Sequence, residues 1–521
     1  MKQMARAIGN GLLGVMMMLS ISCISAPSGG DPAGDGHGPF NVRKFGAVGD
    51  GKHVDSPAIN RAIAACAKSG GGTVEVPAGT YLCGSIHLAS NINFCLDAGA
   101  IILGGPQDKK LYDPEEIFDG HWYQDEGHTF FHNSLIWGEN LTNVSITGQG
   151  MINGGGLVSQ VMGSKGNKSI ALKSCRNVLI RDITIFHGGW FAILVTGCNM
   201  LTCDNLTIDT NRDGIDIDSC QNTMVSNCRV NSPIDDAIVP KSSFALLYPI
   251  PCENLTITNC QVSGFREGTM LDGSRQGKPG TGRIKLGTES NGGFRNVTIS
   301  NCTFDHCRGL ALEEVDGGIL QNVTVSNITM TDIANSPIFI RLGARNRAPS
   351  DAETGEVKNI LISNVVATGI ARNSGILISG IPDYPIEHIR LENIHMTFDG
   401  GGTFKDAQSV PPELEDGYPE PNRFGKMPSY GLYARHVRDL ELSNVHFDYT
   451  KKEVRPAIAL FDVNGFQIDD LQAKVAKGVS PGWFYDVKHF VSRNSPMFVK
   501  VPTTQPAATQ PATMPTDRPA K

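Results

Sequence analysis

Apolar and polar positions alternate in short runs that return along the chain at a nearly regular interval. The unit reads Asn, apolar, Thr/Ser, Ile, Ser/Thr, Asn, then Cys/Ile/Val, any residue, apolar, as in NLTITNCQV from Asn254, NVTISNCTF from Asn296 and NVTVSNITM from Asn322. Looser copies start at Asn177, Asn359, Ile389 and Leu440. The second Asn of successive units falls at Asn205, Asn227, Asn259, Asn301, Asn327, Asn364, Asn393 and Asn444, with spacings from 22 upward. A coil of about that length is therefore the unit, and longer intervals carry insertions. Alternating β-branched residues make each unit a strand. One strand per coil cannot bury its apolar face alone, so neighbours must stack in parallel register. The fold class expected is all-β, a single-stranded right-handed parallel β-helix. Asn at a fixed corner tolerates left-handed backbone, and its amide can bond the Asn of the next coil. A leucine-rich horseshoe would need a Leu-dominated consensus and a helix per repeat, and neither is present.

The segment from Phe45 to Tyr81 predicts a cap for the first coil. Ser56 is placed as N-cap with Pro57 at the first helical position, and Gly70 to Gly72 stop the helix. Ala58, Ile59, Ala62 and Ile63 form the apolar face that would plug the open end. Before this cap, Lys2 and Arg6 precede an apolar run from about Ile8 to Ile24, with small residues at Ser25 and Ala26. This reads as an export signal over residues 1–26, followed by a Gly/Pro/Asp/Ser spacer over 27–39. The solenoid is assigned to 40–500 and a Pro/Thr/Ala tail to 501–521. With the signal removed, no transmembrane span is expected and the protein is exported. Cys23 stands near the cleavage region as in a lipoprotein, but Ser20 occupies the place where a lipobox prefers Leu.

Composition narrows the function classes. A net charge of -7 leaves no basic surplus to neutralise phosphates, so no nucleic-acid partner is expected. Cys228, Cys260 and Cys302 recur at one repeat position and read as stacked, reduced, buried thiols, while pairing of the other cysteines stays open. They lack ligand spacing, and no cofactor or metal is expected.

Acids accumulate on two consecutive coils, NRDGIDIDSCQN from Asn211 and NSPIDDAIVPKSS from Asn231. Asp213 and Asp235 are 22 residues apart, one coil, so they should lie side by side with Asp236 adjoining. Three close carboxylates repel, and at least one should hold a proton near neutrality. That supplies an acid for a leaving oxygen and ionised carboxylates to activate water, as glycosidic hydrolysis requires. Calcium held by oxygen ligands, or plain turn structure, are the alternatives; Asp216 and Asp218 fit the latter.

At these residues the chain resembles the polygalacturonase-like glycoside hydrolases of family 28, which have a pectin-lyase-like β-helix, from about Phe40 to Val445. The family's Asn-Thr-Asp motif matches Asn211 and Asp213 with Arg212 in place of Thr, and its Asp-Asp pair matches Asp235 and Asp236 in DDAIVPKS. The resemblance implies an inverting hydrolase acting on an acidic plant or algal polysaccharide or oligosaccharide, pectic galacturonides first. Asp235 would be the general acid, Asp213 and Asp236 would position the water, Asn211 would orient Asp213, and Lys241 would contact substrate. Two motifs depart from the family. Thr281 occupies the place of the His in Gly-His-Gly, and Ala311 and Glu313 stand where the substrate-gripping Arg and Lys would be. Arg283, Lys285 and Arg341 are then candidates to rebuild an anion grip, and Glu289, Glu313 and Glu314 to bond sugar hydroxyls.

Insertions supply the rest of the expected cleft. The stretch from Asp113 to Asn133 is dense in aromatics, with Trp122 and Tyr123 as candidates for stacking on sugar and Phe130 and Phe131 as packing residues. His121, His128 and His132 in the same stretch read as polar loop groups. Long loops are expected at 264–281, 342–357 and 397–430, and the protein is expected to be a monomer. A calcium-dependent polysaccharide lyase and a silent carbohydrate-binding β-helix are the competing functions.

Overall fold

A computed structural model describes residues 38–116, 126–158, 166–349, 351–499 and 501. The strands pair in parallel, each with its counterpart one coil before and one coil after, in a 27-stranded and a 6-stranded set. This is the right-handed parallel β-helix expected from the repeat. One coil runs through the strands Phe191–Thr196, Asn199–Asp204 and Thr207–Asp209. The next repeats it as Asp213–Asp218, Gln221–Ser226 and Arg229–Asn231, with Ile193 opposite Ile215, Cys203 opposite Val225 and Ile208 opposite Val230. Like residues thus stack along the axis and form one continuous buried core.

The corners follow the asparagine rule. All eight second-position asparagines, from Asn205 to Asn444, have φ between 50° and 59°. Their amides form a ladder in which Asn327 donates to Asn301 at 3.0 Å, Asn364 to Asn327 at 3.0 Å, Asn393 to Asn364 at 2.9 Å and Asn444 to Asn393 at 2.9 Å. The first asparagine of each unit makes a second ladder, seen at Asn254, Asn296, Asn322 and Asn359, which are also left-handed. The twelve described cysteines are all buried and free, Cys228, Cys260 and Cys302 among them. Cys175, Cys198 and Cys220 stack in the same way at a neighbouring position, with backbone N–H to sulfur distances of 3.4 Å.

The cap helix spans Ser56–Lys68 and buries Ala58, Ile59, Ala62 and Ile63. Its N-cap is Asp55 rather than Ser56. The Asp55 carboxylate is engaged by the Val48 and Gly49 amides at 2.7 and 3.0 Å, and Ser56 Oγ accepts from Gly84 N, so neither side chain caps the helix. Among the described residues no helix is long and apolar enough to cross a membrane. The expected signal, and nearly all of the spacer and tail, lie outside the described residues.

The face that matters lies on the outside of the strands that carry the acids. Ile215, Ile238, Ile284 and Leu312 point into the core, so the residues between them point out. Register then gives one outward row of Ala171, Leu194, Asp216, Val239, Lys285, Ala311, Phe339 and Leu377 across successive coils. At both ends of this row two loops lie on it. Phe131 packs on Ala171 and Leu194, and Phe424 and Met427 pack with Ala311, Phe339 and Leu377 in separate apolar clusters outside the main core.

Candidate active site

Asp213 starts the strand Asp213–Asp218, and Asp235 and Asp236 precede the strand Ile238–Lys241 on the next coil. One carboxylate oxygen from each of the three lies within 4.8 Å of the others. The Asp236 amide joins the other two, at 3.3 Å from Asp213 Oδ1 and 3.1 Å from Asp235 Oδ1. The spacing of one coil therefore brings together the trio anticipated from sequence.

Their surroundings differ. Asp213 is buried, and burial, then the charges of Asp235 and Asp216, push its carboxyl well above the ordinary range. Asp236 is equally buried, but Arg283 Nε sits 2.7 Å from Oδ1 and Lys285 Nζ 3.4 Å from Oδ2. Burial opposes its charge; the two cations outweigh burial and hold the carboxyl down at about 2. Asp235 is the most exposed of the three, its side chain 32% accessible, and takes a 2.8 Å contact from Arg212. The trio thus contains a carboxyl that favours its proton and one that is firmly ionised.

Arg212 is the residue that stands in place of the family threonine. Its guanidinium lies over Trp190, 5.3 Å from the ring centre, and reaches Asp235 and, at 3.9 Å, Asp213. Asn211, expected to orient Asp213, is two residues before it, in the bend that leads into the strand Asp213–Asp218. Its backbone carbonyl accepts from Ile234 N and its backbone N–H serves Glu267.

Lys241 faces the cleft as expected. Its Nζ lies 3.5 Å from Asp216, 3.4 Å from Glu289 and 3.1 Å from His128 Nε2. Glu289 also faces the cleft; burial works against its charge, but Lys241 and Arg347 hold the carboxyl well below the ordinary range. Asp216 and Asp218 are not turn residues: both are fully buried within a strand, on its outer face. Asp218 accepts from Ser243 N and Oγ at 2.7 and 2.6 Å and faces His128 Nδ1 at 3.4 Å. His128, read from sequence as a polar loop group, is buried against these acids and against Phe191. Burial and Lys241 oppose its charge, yet Asp218 tips the balance and raises it.

Three further expectations are corrected. Glu313 does not meet a substrate: it is fully buried beneath Lys285, 3.7 Å away, and accepts from Thr288 at 3.4 Å. Burial, only partly offset by Lys285, pushes its carboxyl up to about 7. Arg341 offers no anion grip, because its guanidinium donates to Ser379, Gly380 O, Glu413 O and Leu414 O and lies over Phe424. It pins a loop instead. Glu314 is buried and accepts from the amides of Asp316 and Gly318, a local turn. Trp122, Tyr123 and His121 lie outside the described residues. Phe130 and Phe131 are buried as packing residues.

The loop returning from 399 to 431 brings in residues that sequence reasoning missed. Glu420 receives both terminal nitrogens of Arg283, at 3.3 and 2.9 Å, and Arg308 at 3.1 Å. Tyr418 lies near Lys285 and Arg345. The only advance signals were the length of the insertion and its aromatic and acidic content.

Two hollows border the trio and a third adjoins them. A 380 Å³ chamber is lined by Trp190, Arg212, Asp213, Lys241, Glu289 and Arg347, together with Asp235 and Asp236. The two last residues also border a 260 Å³ space lined by Thr281, Arg283, Arg308 and Glu420. That space shares Ile234, Thr281, Arg308 and Asn422 with a 610 Å³ hollow that includes Asn335 and Lys426.

A probable polygalacturonase of Vitis vinifera is 29% identical over 55% of this chain and 59% of its own. One of Arabidopsis thaliana is 28% identical over 58% and 60%. The chain therefore spans about three-fifths of the length of these two relatives. Among solved structures, a hyperthermoactive exopolygalacturonase of Thermotoga maritima superposes with a TM-score of 0.60 at 19% identity, over 78% of this chain and 91% of that one, which shows the shared fold. The family model for glycosyl hydrolases family 28 matches residues 66–414, more than half of the chain and inclusive of the acid trio. On fold and family match together, this chain belongs to glycosyl hydrolases family 28.

Proposed function

We propose that this protein hydrolyses a glycosidic bond in an acidic plant or algal polysaccharide or its oligosaccharides, pectic galacturonides being the favoured substrate. The observation that carries this is the meeting of Asp213, Asp235 and Asp236 within 4.8 Å at the bottom of a cleft, in a chain of this family. Relatives named as polygalacturonases support the substrate class.

In the mechanism proposed, Asp235 is the general acid. It is the most exposed of the trio and borders both the chamber and the adjoining space, so it can reach a bridging oxygen between two sugars. Asp236, kept ionised by Arg283 and Lys285, draws the proton from a water that it positions with Asp213. The C1–O bond breaks as the C1–OH bond forms, Asp235 gives its proton to the leaving oxygen, and the water's proton passes to Asp236. The proton required at Asp235 is available within the trio, since Asp213 favours the protonated form and shares the Asp236 amide with it. Inverting enzymes usually separate their carboxyls by about 6.5–9.5 Å. The closer approach here makes the product anomer a test worth running, and the resemblance to the family favours inversion. Lys241, Arg283 and Lys285 are proposed to set the charge of the cleft, each already matched by an acid.

The calcium-dependent lyase is disfavoured by the same contacts, because Asp235 and Asp236 already face Arg212, Arg283 and Lys285. Incubation of polygalacturonate with wild type and Asp235→Asn, with products read by mass and by ultraviolet absorbance, decides. Saturated products from wild type alone support hydrolysis. Unsaturated, chelator-sensitive products would move the chain to the lyases, and no products from any acidic polysaccharide would leave a binding function.

A further inference from the structure

We propose that the cleft admits only the non-reducing end of its substrate and releases one terminal sugar per turnover; this rests on the hydrolase reading above. An enzyme that cuts inside a polysaccharide needs an open groove along the outer row of the solenoid on both sides of its acids. Here that row is roofed on both sides.

On the N-terminal side, Phe131 covers Ala171 and Leu194. Its segment is fixed by Lys168 Nζ donating to Phe130 O at 2.6 Å and by the Glu116 carboxylate accepting from Phe131 N at 2.9 Å. On the C-terminal side, Phe424 and Met427 cover Ala311, Phe339 and Leu377. That roof is fixed by Arg341, donating to Glu413 O and Leu414 O at 3.0 and 2.6 Å, and by Arg435, donating to Pro411 O and Pro412 O at 2.9 and 2.7 Å. Buried charge-assisted bonds to backbone carbonyls hold a loop far more firmly than surface contacts do. Among the described residues, the way out therefore runs sideways, from the 380 Å³ chamber through the 260 Å³ space into the 610 Å³ hollow beside Ile234, Asn335 and Lys426.

Polarity follows from which acid lines which space. Asp213 borders the chamber alone, whereas Asp235 and Asp236 border the chamber and the space next to it. The attacked anomeric carbon belongs to the sugar on the side of the water, so that sugar occupies the chamber. The leaving oxygen, protonated by Asp235, belongs to the sugar in the adjoining space. Among the described residues the chamber is walled by Trp190, which packs in one cluster with Phe131, and by the ion-paired Lys241, Glu289 and Arg347, so in this proposal the sugar in it has no predecessor and is the non-reducing terminus.

The test uses the whole protein and hexagalacturonide carrying a fluorescent amine at its reducing end, sampled before a tenth of it is consumed. The expected first products are free galacturonic acid and the labelled pentamer, followed by a ladder that shortens one unit at a time. A second hexamer with a bulky ether on its non-reducing terminal sugar should be cut at least a hundredfold more slowly. Labelled products of mixed length at the earliest times, or equal cleavage of the blocked hexamer, would overturn the dead-end cleft and leave hydrolysis standing. Absence of any cleavage of either hexamer would overturn the galacturonide reading and this inference with it.

Discussion

At the scale of single residues, the acids were legible because a repeat of known length converts sequence distance into spatial adjacency. Asp213 and Asp235, one coil apart, are placed side by side by their spacing alone. Replacing Asp235 by Asn should lower kcat on oligogalacturonides by about 10²- to 10⁴-fold, the usual worth of a general acid, and leave the melting temperature within a degree or two; kinetics paired with calorimetry checks both. The outward cations were harder to read. Alternation says correctly that Glu313 and Arg341 share a face with Lys285, but it cannot say that a later loop will cover them. Glu313 offers a pH test. Its carboxyl is raised from 4.5 to about 7 by burial, so folding takes up a proton between those values and Glu313 costs stability as pH rises through that window. The melting temperature of Glu313→Gln relative to wild type should therefore climb from pH 4.5 to pH 7; a difference that stays flat or falls would show that Lys285 keeps Glu313 ionised throughout.

At the scale of elements, the asparagine corners and the cap helix were readable because local geometry fixes them. A left-handed corner excludes β-branched residues, and an amide repeating at that corner finds its own image one coil away. Asn327 donates to Asn301 and accepts from Asn364, so Asn327→Ala loses both bonds and keeps the unfavourable φ. The expected loss is about 1–3 kcal/mol, and Asn327→Gly, which removes the bonds but relieves the backbone, should recover roughly 1 kcal/mol of it; urea titration of the three proteins measures the split. The N-cap was misplaced by one residue because Asp55 and Ser56 are both drawn into contacts with distant segments, which no local rule anticipates. The loop from 399 to 431 is the extreme case, since its path is set by Phe424 and Met427 seeking an apolar stripe on the outside of the solenoid. Phe424→Ala should loosen it, and the readout is faster protease cleavage confined to this loop with a raised KM, while the β-sheet circular dichroism is unchanged.

At the scale of the whole molecule, the solenoid is a sum of like layers, and its thiols follow that plan. The twelve described cysteines are all buried and free, and burial raises the Cys252 and Cys203 thiols to about 12. Native protein should leave them unmodified by a soluble thiol reagent over hours, with all of them reacting together once denaturant passes the unfolding midpoint. Fast labelling of several under native conditions would mean that coils open locally. The layers are also made in sequence order, and the site is not. The acids and their cations are complete by Lys285, yet Glu420, which holds Arg283, and Phe424, which roofs the row beside it, come more than a hundred residues later. During synthesis the nascent chain therefore leaves Arg283 held by Asp236 alone, with its terminal nitrogens unmatched by Glu420, and an open furrow, until the coil containing Tyr433 has formed beneath the returning loop. Substrate selection is thus the last property this protein acquires as it is made, and a change confined to the returning loop can retune it while the machinery underneath is inherited untouched.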